Sequence, residues 1–170
     1  FSFNYAGKSS ELLLPTWTRQ EVEQKLAAGD EAKRREIHWD DPATGLRVSL
    51  QLARWTDYPA AEWMLWFENR GKADTEIIEN VQAMNVVFRS PLTDGQNYRL
   101  YRTKGGPANP ADFEPYTVTV DREHPQTATA GQGRSSSANF PFFKVDTGRG
   151  TAVMAVGWSG MWRSEFACPD

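Results

Sequence analysis

Polar and apolar residues alternate with a period of two along much of the chain, and this period predicts strands. Phe1-Ser2-Phe3-Asn4-Tyr5 already alternates at the start. In the stretch 45–56, Leu46, Val48, Leu50 and Leu52 point one way while Arg47, Ser49 and Gln51 point the other. That is the signature of a half-buried strand. In 61–69, Trp63, Leu65 and Phe67 share one face, and Glu62, Met64, Trp66 and Glu68 share the other. A long Ile- and Val-rich run covers 76–89, and shorter ones cover 97–102 and 116–120. Residues 151–158 (Thr-Ala-Val-Met-Ala-Val-Gly-Trp) are nearly all apolar and predict a strand buried on both faces.

Breakers fall between these runs. Asp41-Pro42-Ala43-Thr44-Gly45 predicts a tight turn in which Pro sets φ and Gly supplies a positive φ. Residues 69–74 and Thr93-Asp94-Gly95 predict two more turns, and 104–115 and 129–137 read as loops. Helix-favouring composition occurs only over 18–35. The apolar positions there are too few to make a face, so the segment reads as a polar, partly extended connection. The pattern as a whole predicts an all-β, antiparallel β-sandwich forming one domain over 1–163 with no internal boundary.

Composition narrows the function. The chain has 170 residues, enough for one domain with a real core. Lys and Arg total 19 against 22 Asp and Glu, a balance unlike the basic excess of a nucleic-acid platform. A single Cys, Cys168, excludes an internal disulfide and a Cys-based zinc site, and two His exclude a His-rich metal site. No metal and no cofactor is expected. No stretch approaches the roughly 18 apolar residues of a membrane helix. The first residue is not Met, which reads as a piece of a longer polypeptide. The compartment stays open, with a secreted or periplasmic one favoured.

Four features carry candidate chemistry. The seven Trp residues suit either a bulky sandwich core or a sugar-binding surface, because a flat ring stacks on the C–H face of a pyranose. Alternation assigns Trp63, Phe67 and Phe88 to the core. Trp55, Trp66 and Trp162 sit at strand ends or on mixed faces and stay open between core and surface. In the second feature, Trp55-Thr56-Asp57-Tyr58-Pro59, a bend carries Asp57 and, beyond it, Glu62. Paired carboxylates suggest glycoside hydrolysis, but acids at a hairpin end rarely face each other across a sugar, and solvated or locally bonded acids are the simpler reading. Third, Gly133-Arg134-Ser135-Ser136-Ser137 could bind an anion or sugar hydroxyls, or could be a solvated connection held by the aromatic run 139–143 behind it. Fourth, Gly157-Trp158-Ser159-Gly160 starts like a nucleophile elbow, but its second Gly comes one place early and no helix follows. A bulge or bend is the better reading.

Taken in order, several of these segments resemble a known family. The run from Gly45-Leu46-Arg47-Val48 to Phe67-Glu68-Asn69-Arg70-Gly71 resembles the amino-terminal β-sandwich of glycoside hydrolase family 36, the α-galactosidases and α-N-acetylgalactosaminidases. Gly133-Arg134-Ser135-Ser136, then Asn139, Pro141 and Phe142, then Ser159-Gly160-Met161-Trp162 are similar to that family's closing segment. Trp158 stands where the family has Tyr, Met161 where it has Asn and Trp162 where it has Phe. Phe1-Ser2-Phe3 and 78–83 resemble a bacterial branch.

The resemblance implies a mutarotase-like supersandwich that precedes a TIM barrel, with some first strands missing here and 164–170 beginning a linker. It implies that the catalytic Asp pair lies in the barrel, so this chain carries no catalytic residue. Its partner would be the barrel of the same polypeptide, with a homo-oligomer of the parent enzyme and a galactoside or plant polysaccharide also in reach. No nucleic acid and no membrane is expected. Trp55, Asp57, Tyr58, Arg134, Ser135, Ser136, Trp158 and Trp162 are the expected sugar or interface contacts. The rival reading is a free-standing carbohydrate-binding module with exposed Trp residues. A third, an intact hydrolase using Asp57 and Glu62, predicts turnover that the absence of a barrel speaks against.

Overall fold

The computed structural model describes residues 1–24, 32–88, 97–148 and 150–168. The fold is all-β and antiparallel, with one short helix among the described residues. By contact, the chain divides into two compact units, Phe1–Val87 and Phe88–Asp170. The alternation pattern contains no mark of that division, because strands on either side of it have the same period.

Unit 1 holds β1 (Ser2–Tyr5), β2 (Lys8–Ser9), α1 (Ser10–Leu13), a 3-10 turn (Leu14–Thr16), β3 (Thr18–Gln24), β4 (Ala32–Asp40), β5 (Leu46–Trp55), β6 (Ala61–Asn69) and β7 (Ile78–Gln82). They form a sheet ordered β3-β4-β5-β6 and a small one ordered β2-β1-β7. Cross-strand pairing aligns Trp39, Val48 and Phe67 in one row of the larger sheet. Phe3 and Tyr5 of β1 cover this row together with Trp17, and they make the core with Leu46 and Val48. Phe3 meets Phe67 edge-on at 5.3 Å. Edge-on rings place a positive rim against a negative face, so the packing is favourable beyond its buried area.

The turn after β4 forms as its residues demand. Asp41 accepts from the backbone N–H of Ala43 at 3.0 Å and from the Thr44 hydroxyl at 2.6 Å, and Gly45 adopts φ +81°. Tyr5 donates its hydroxyl to Thr44 at 3.0 Å and so ties the small sheet to this turn. Gly45 and Gly71, the first and last residues of the motif that resembles family 36, touch. A Cβ on Gly45 would lie 2.8 Å from the Gly71 nitrogen, and one on Gly71 would lie 2.3 Å from the Thr44 oxygen. The β4–β5 turn and the chain just after β6 meet there backbone to backbone, and only glycine leaves the room.

Several expectations for unit 1 are corrected. The polar segment 18–35 contains two paired strands, β3 and the start of β4, with Thr18 opposite Asp40 and Gln24 opposite Arg34. Charge opposite charge supports this ladder where apolar periodicity is weak: Arg35 of β4 pairs with Glu21 at 3.2 Å and with Glu23 at 3.4 Å across the strands. Among the described residues 76–88 of the run 76–89, only Ile78–Gln82 is strand. Trp63, expected in the core, is exposed, since the small sheet covers only the Leu46–Val48–Phe67 end of its partner, and Phe88, also expected in the core, is exposed at the start of unit 2. Thr93-Asp94-Gly95 lies outside the described residues.

Unit 2 holds β8 (Tyr98–Thr103), β9 (Pro115–Val120), β10 (Gln126–Thr129), β11 (Phe142–Asp146), β12 (Thr151–Ala155) and β13 (Arg163–Phe166). A sheet ordered β12-β11-β8-β9 and a pair β10-β13 enclose Leu100, Val120, Ala128, Ala130, Phe143, Val145 and Trp162. β12 is not covered on both faces. As an edge strand it alternates, with Met154 turned to the core and Val153 72% exposed. Residues Ser164–Phe166, which the resemblance would place in a linker, pair with β10. The segment 139–143, read as an aromatic run behind a loop, leads into β11.

Candidate functional site

The expected contact residues divide between the units. In unit 1, the β5–β6 connection is closed by Trp55 N–H donating to the Ala60 oxygen at 3.1 Å and Ala60 N–H donating to the Tyr58 oxygen at 2.8 Å. This bend brings Trp55 and Tyr58 into a parallel stack, with ring centroids 6.0 Å apart and planes 18° apart. Tyr58 is exposed. Asp57 beside it is exposed and accepts from the Thr56 hydroxyl at 3.2 Å. Glu62, also exposed, lies 3.9 Å from Arg34. Each acid therefore has a local polar neighbour.

The outer face of the β3–β6 sheet carries a row with His38, Ser49 and Trp66 opposite one another. Ser49 and His38 Nδ1 lie 2.8 Å apart. Trp66 is half exposed, and its indole N–H donates to Gln51 Oε1 at 3.2 Å. At the end of this face, Arg47 grips Asp40 in a two-pronged pair, 2.6 Å from Nε and 2.7 Å from Nη2. The hydrogen bonds from Arg47 hold the Asp40 carboxyl below its ordinary pKa, against a smaller opposing effect of burial.

In unit 2, the loop that carries Arg134, Ser135 and Ser136 is anchored through backbone carbonyls and the Arg134 side chain. The Ser135 oxygen accepts from the Trp162 indole at 2.7 Å, and the Ser136 oxygen accepts from Gly106 N–H at 2.8 Å. Arg134 Nε donates to the Ser137 hydroxyl at 3.2 Å. The loop is thus tied down at its backbone, while Gln132, Gly133 and Arg134 face solvent. Trp162, expected as a surface contact, is buried against Phe143, with ring centroids 5.8 Å apart. Only its N–H reaches outward, to satisfy a carbonyl, which is the common solution for a buried indole. Trp158 is 66% exposed, on the connection from β12 to β13. That connection, 156–162, holds the Gly-Trp-Ser-Gly motif, and a strand follows it.

Two features of unit 2 were not singled out from the sequence. Arg102, only 7% exposed, is held by Thr127 O at 3.0 Å and Asn139 Oδ1 at 2.6 Å, and stands 5.4 Å over the Tyr116 ring. On the opposite face of β8, Tyr101 lies 4.4 Å beneath the Lys144 amino group. Around it is an open depression of about 430 Å³. Phe142 stands at its rim, half exposed and stacked on Phe140 at 5.2 Å. The alternation of Phe142, Lys144 and Asp146 was the available signal for this face.

Among the described residues no three His, Cys, Asp or Glu side chains are placed to hold a metal ion, and no helix is long and apolar enough to cross a membrane. Comparison with protein-family models, with curated proteins and with solved structures gives no match to this chain.

Proposed function

We propose that the chain is a non-catalytic accessory domain of an α-galactosidase-like glycoside hydrolase, and that unit 1 docks on the catalytic barrel of the same polypeptide. The observation that carries this reading is the distribution of exposed apolar surface. Met64 and Trp66 are exposed on the outer face of β6, and Ile77, Val81, Met84, Val86 and Val87 are exposed around and after β7. Isolated exposed apolar residues are ordinary, but a concentration on neighbouring segments marks surface that another protein covers. The order of the motifs that resemble family 36 supports the identity of that partner, and the touching glycines 45 and 71 give one of those motifs a structural reason.

The test is association. The polypeptide encoded after Asp170, produced separately, should co-elute with this chain, and Met64→Lys with Trp66→Lys should abolish co-elution while circular dichroism stays unchanged. The chain alone should not turn over a nitrophenyl α-galactoside. Co-elution untouched by the double variant would reject docking through β6.

A second reading, a carbohydrate-binding module, is favoured by one observation. The Trp66 ring lies on a sheet face with its N–H already satisfied by Gln51, which leaves the ring for stacking. Calorimetric titration with galactose, raffinose and galactomannan separates the two. Heat that disappears in Trp66→Ala supports the module, and absence of heat leaves docking.

A further inference from the structure

The depression on the outer face of unit 2 has a chemistry that neither reading of unit 1 uses. Its side-chain walls are Tyr101, Thr103, Thr117, Phe142, Lys144 and Val153. The pairing of β12 with β11, of β11 with β8 and of β8 with β9 sets Val153, Lys144, Tyr101 and Thr117 side by side across four strands. The volume, about 430 Å³, lies within the roughly 300–1,000 Å³ of small-ligand sites.

Charge decides what fits there. None of the residues that line the depression is acidic. Among the described residues no carboxylate lies within ion-pair distance of the Lys144 amino group, whose recorded neighbour is the Tyr101 ring. The acids on nearby strands are already matched, Asp146 by Arg99 at 3.5 Å and Glu114 by Lys104 at 2.6 Å. Behind the floor, on the inner face of β8, the Arg102 guanidinium has only neutral acceptors, and its Nε has none. Two positive charges therefore flank one strand, both without a counter-charge. An uncompensated charge beside a concave, partly apolar wall focuses its field on a ligand of opposite sign. The other groups are a half-exposed ring face at Phe142 and hydroxyls from Tyr101, Thr103 and Thr117. A ring for C–H stacking, hydroxyls for hydroxyls and an ammonium for a carboxylate together describe an acidic sugar.

We infer that this depression binds a carboxylate-bearing hexopyranoside, a uronic-acid unit of a polysaccharide, with Lys144 on the carboxylate and the ring seated against Phe142. The site is independent of the docking assigned to unit 1. A protein partner's Asp or Glu could meet Lys144, but it would leave the hydroxyl row and the ring face without a complement.

The experiment is titration of the full chain with trigalacturonate, galactotriose and an acidic hexapeptide, at low and high salt. Trigalacturonate should bind saturably and weaken with salt, and galactotriose should bind about tenfold more weakly or worse, the loss expected for one charge-assisted contact. Lys144→Met should cause the same loss for trigalacturonate, Lys144→Arg should restore binding, and Phe142→Ala should weaken both sugars. Lys144 and Phe142 are exposed, so these variants keep the fold, as circular dichroism will show. Equal binding of the two sugars, no binding of trigalacturonate, or indifference to Lys144→Met would overturn the assignment. An acidic peptide that binds as tightly as trigalacturonate would overturn the sugar part of it.

Discussion

Arg102 donates from Nη2 to Asn139 Oδ1 at 2.6 Å, and this bond satisfies part of a buried cation with a neutral amide. Asn139 also accepts from the Tyr116 hydroxyl at 3.4 Å and donates to the Thr129 oxygen at 3.1 Å. From the loop after β10 it thereby links β8, β9 and the end of β10. Removing it should be severe, because a buried guanidinium is left with fewer acceptors. Asn139→Leu is expected to cost about 2–3 kcal/mol in urea unfolding, the range of a lost hydrogen bond to a charged group. Adding Arg102→Met should recover part of that loss, since the charge that lacks a partner leaves with it. A double variant no more stable than Asn139→Leu alone would contradict this account.

The Asp40–Arg47 pair predicts a pH dependence with a definite sign. The folded-state carboxyl sits below its unfolded value of 3.8, chiefly through hydrogen bonds from Arg47. Its contribution is therefore complete above about pH 5 and declines as the pH falls through 3.8 and below. Chemical denaturation of the chain and of Asp40→Asn should differ by about 1 kcal/mol at pH 7, and the difference should shrink as the pH falls below 3.8. A difference that persists undiminished in acid would rule this pair out as its source.

Gly45 is constrained twice, by φ +81° and by the backbone of Gly71. Gly45→Ala must strain the backbone and push the β4–β5 turn away from the end of β6. Thermal unfolding should show a loss of about 2–3 kcal/mol, above the ~1 kcal/mol of left-handed strain alone. Gly133→Ala, also at positive φ but with open space around it, should show only the smaller loss.

Trp158 and Trp162 belong to one short motif and should respond oppositely. Trp162→Phe removes the indole donor from the Ser135 oxygen and leaves a gap beside Phe143. A cost of about 2 kcal/mol is expected, with faster hydrogen exchange at Gly106 and Ala138, whose N–H groups bond inside the same loop cluster. Trp158→Ala, on the surface, should stay within about 0.5 kcal/mol of the parent.

The legible part of this fold was the strands whose two faces differ. β5 and β6 were readable almost to the residue, because a half-buried strand writes its two environments into alternate positions. The turn at 41–45 was readable because Asp, Pro and Gly each have a local reason to be there. β3 and the start of β4 were not, because charge pairs across the ladder hold them and such pairs leave no apolar period. β12 was misread for the converse reason: an apolar run says that a strand avoids charge, not how many of its faces are covered.

The candidate site divides the same way. The sequence by itself determined an all-β, antiparallel chain with tight glycine turns, an excess of Trp, and no cysteine or histidine framework for a metal, since these follow from local propensity and composition. Which aromatic rings are core and which are surface was decided only by tertiary structure. Trp162 is buried and Trp66 exposed because one faces an opposing sheet and the other does not, and no local pattern records where a second sheet ends. Nor does local pattern record that Lys144 is without a carboxylate and Arg102 without a counter-charge. Charge balance is a property of three-dimensional neighbourhoods, built here from strands that pair across forty residues or more of chain.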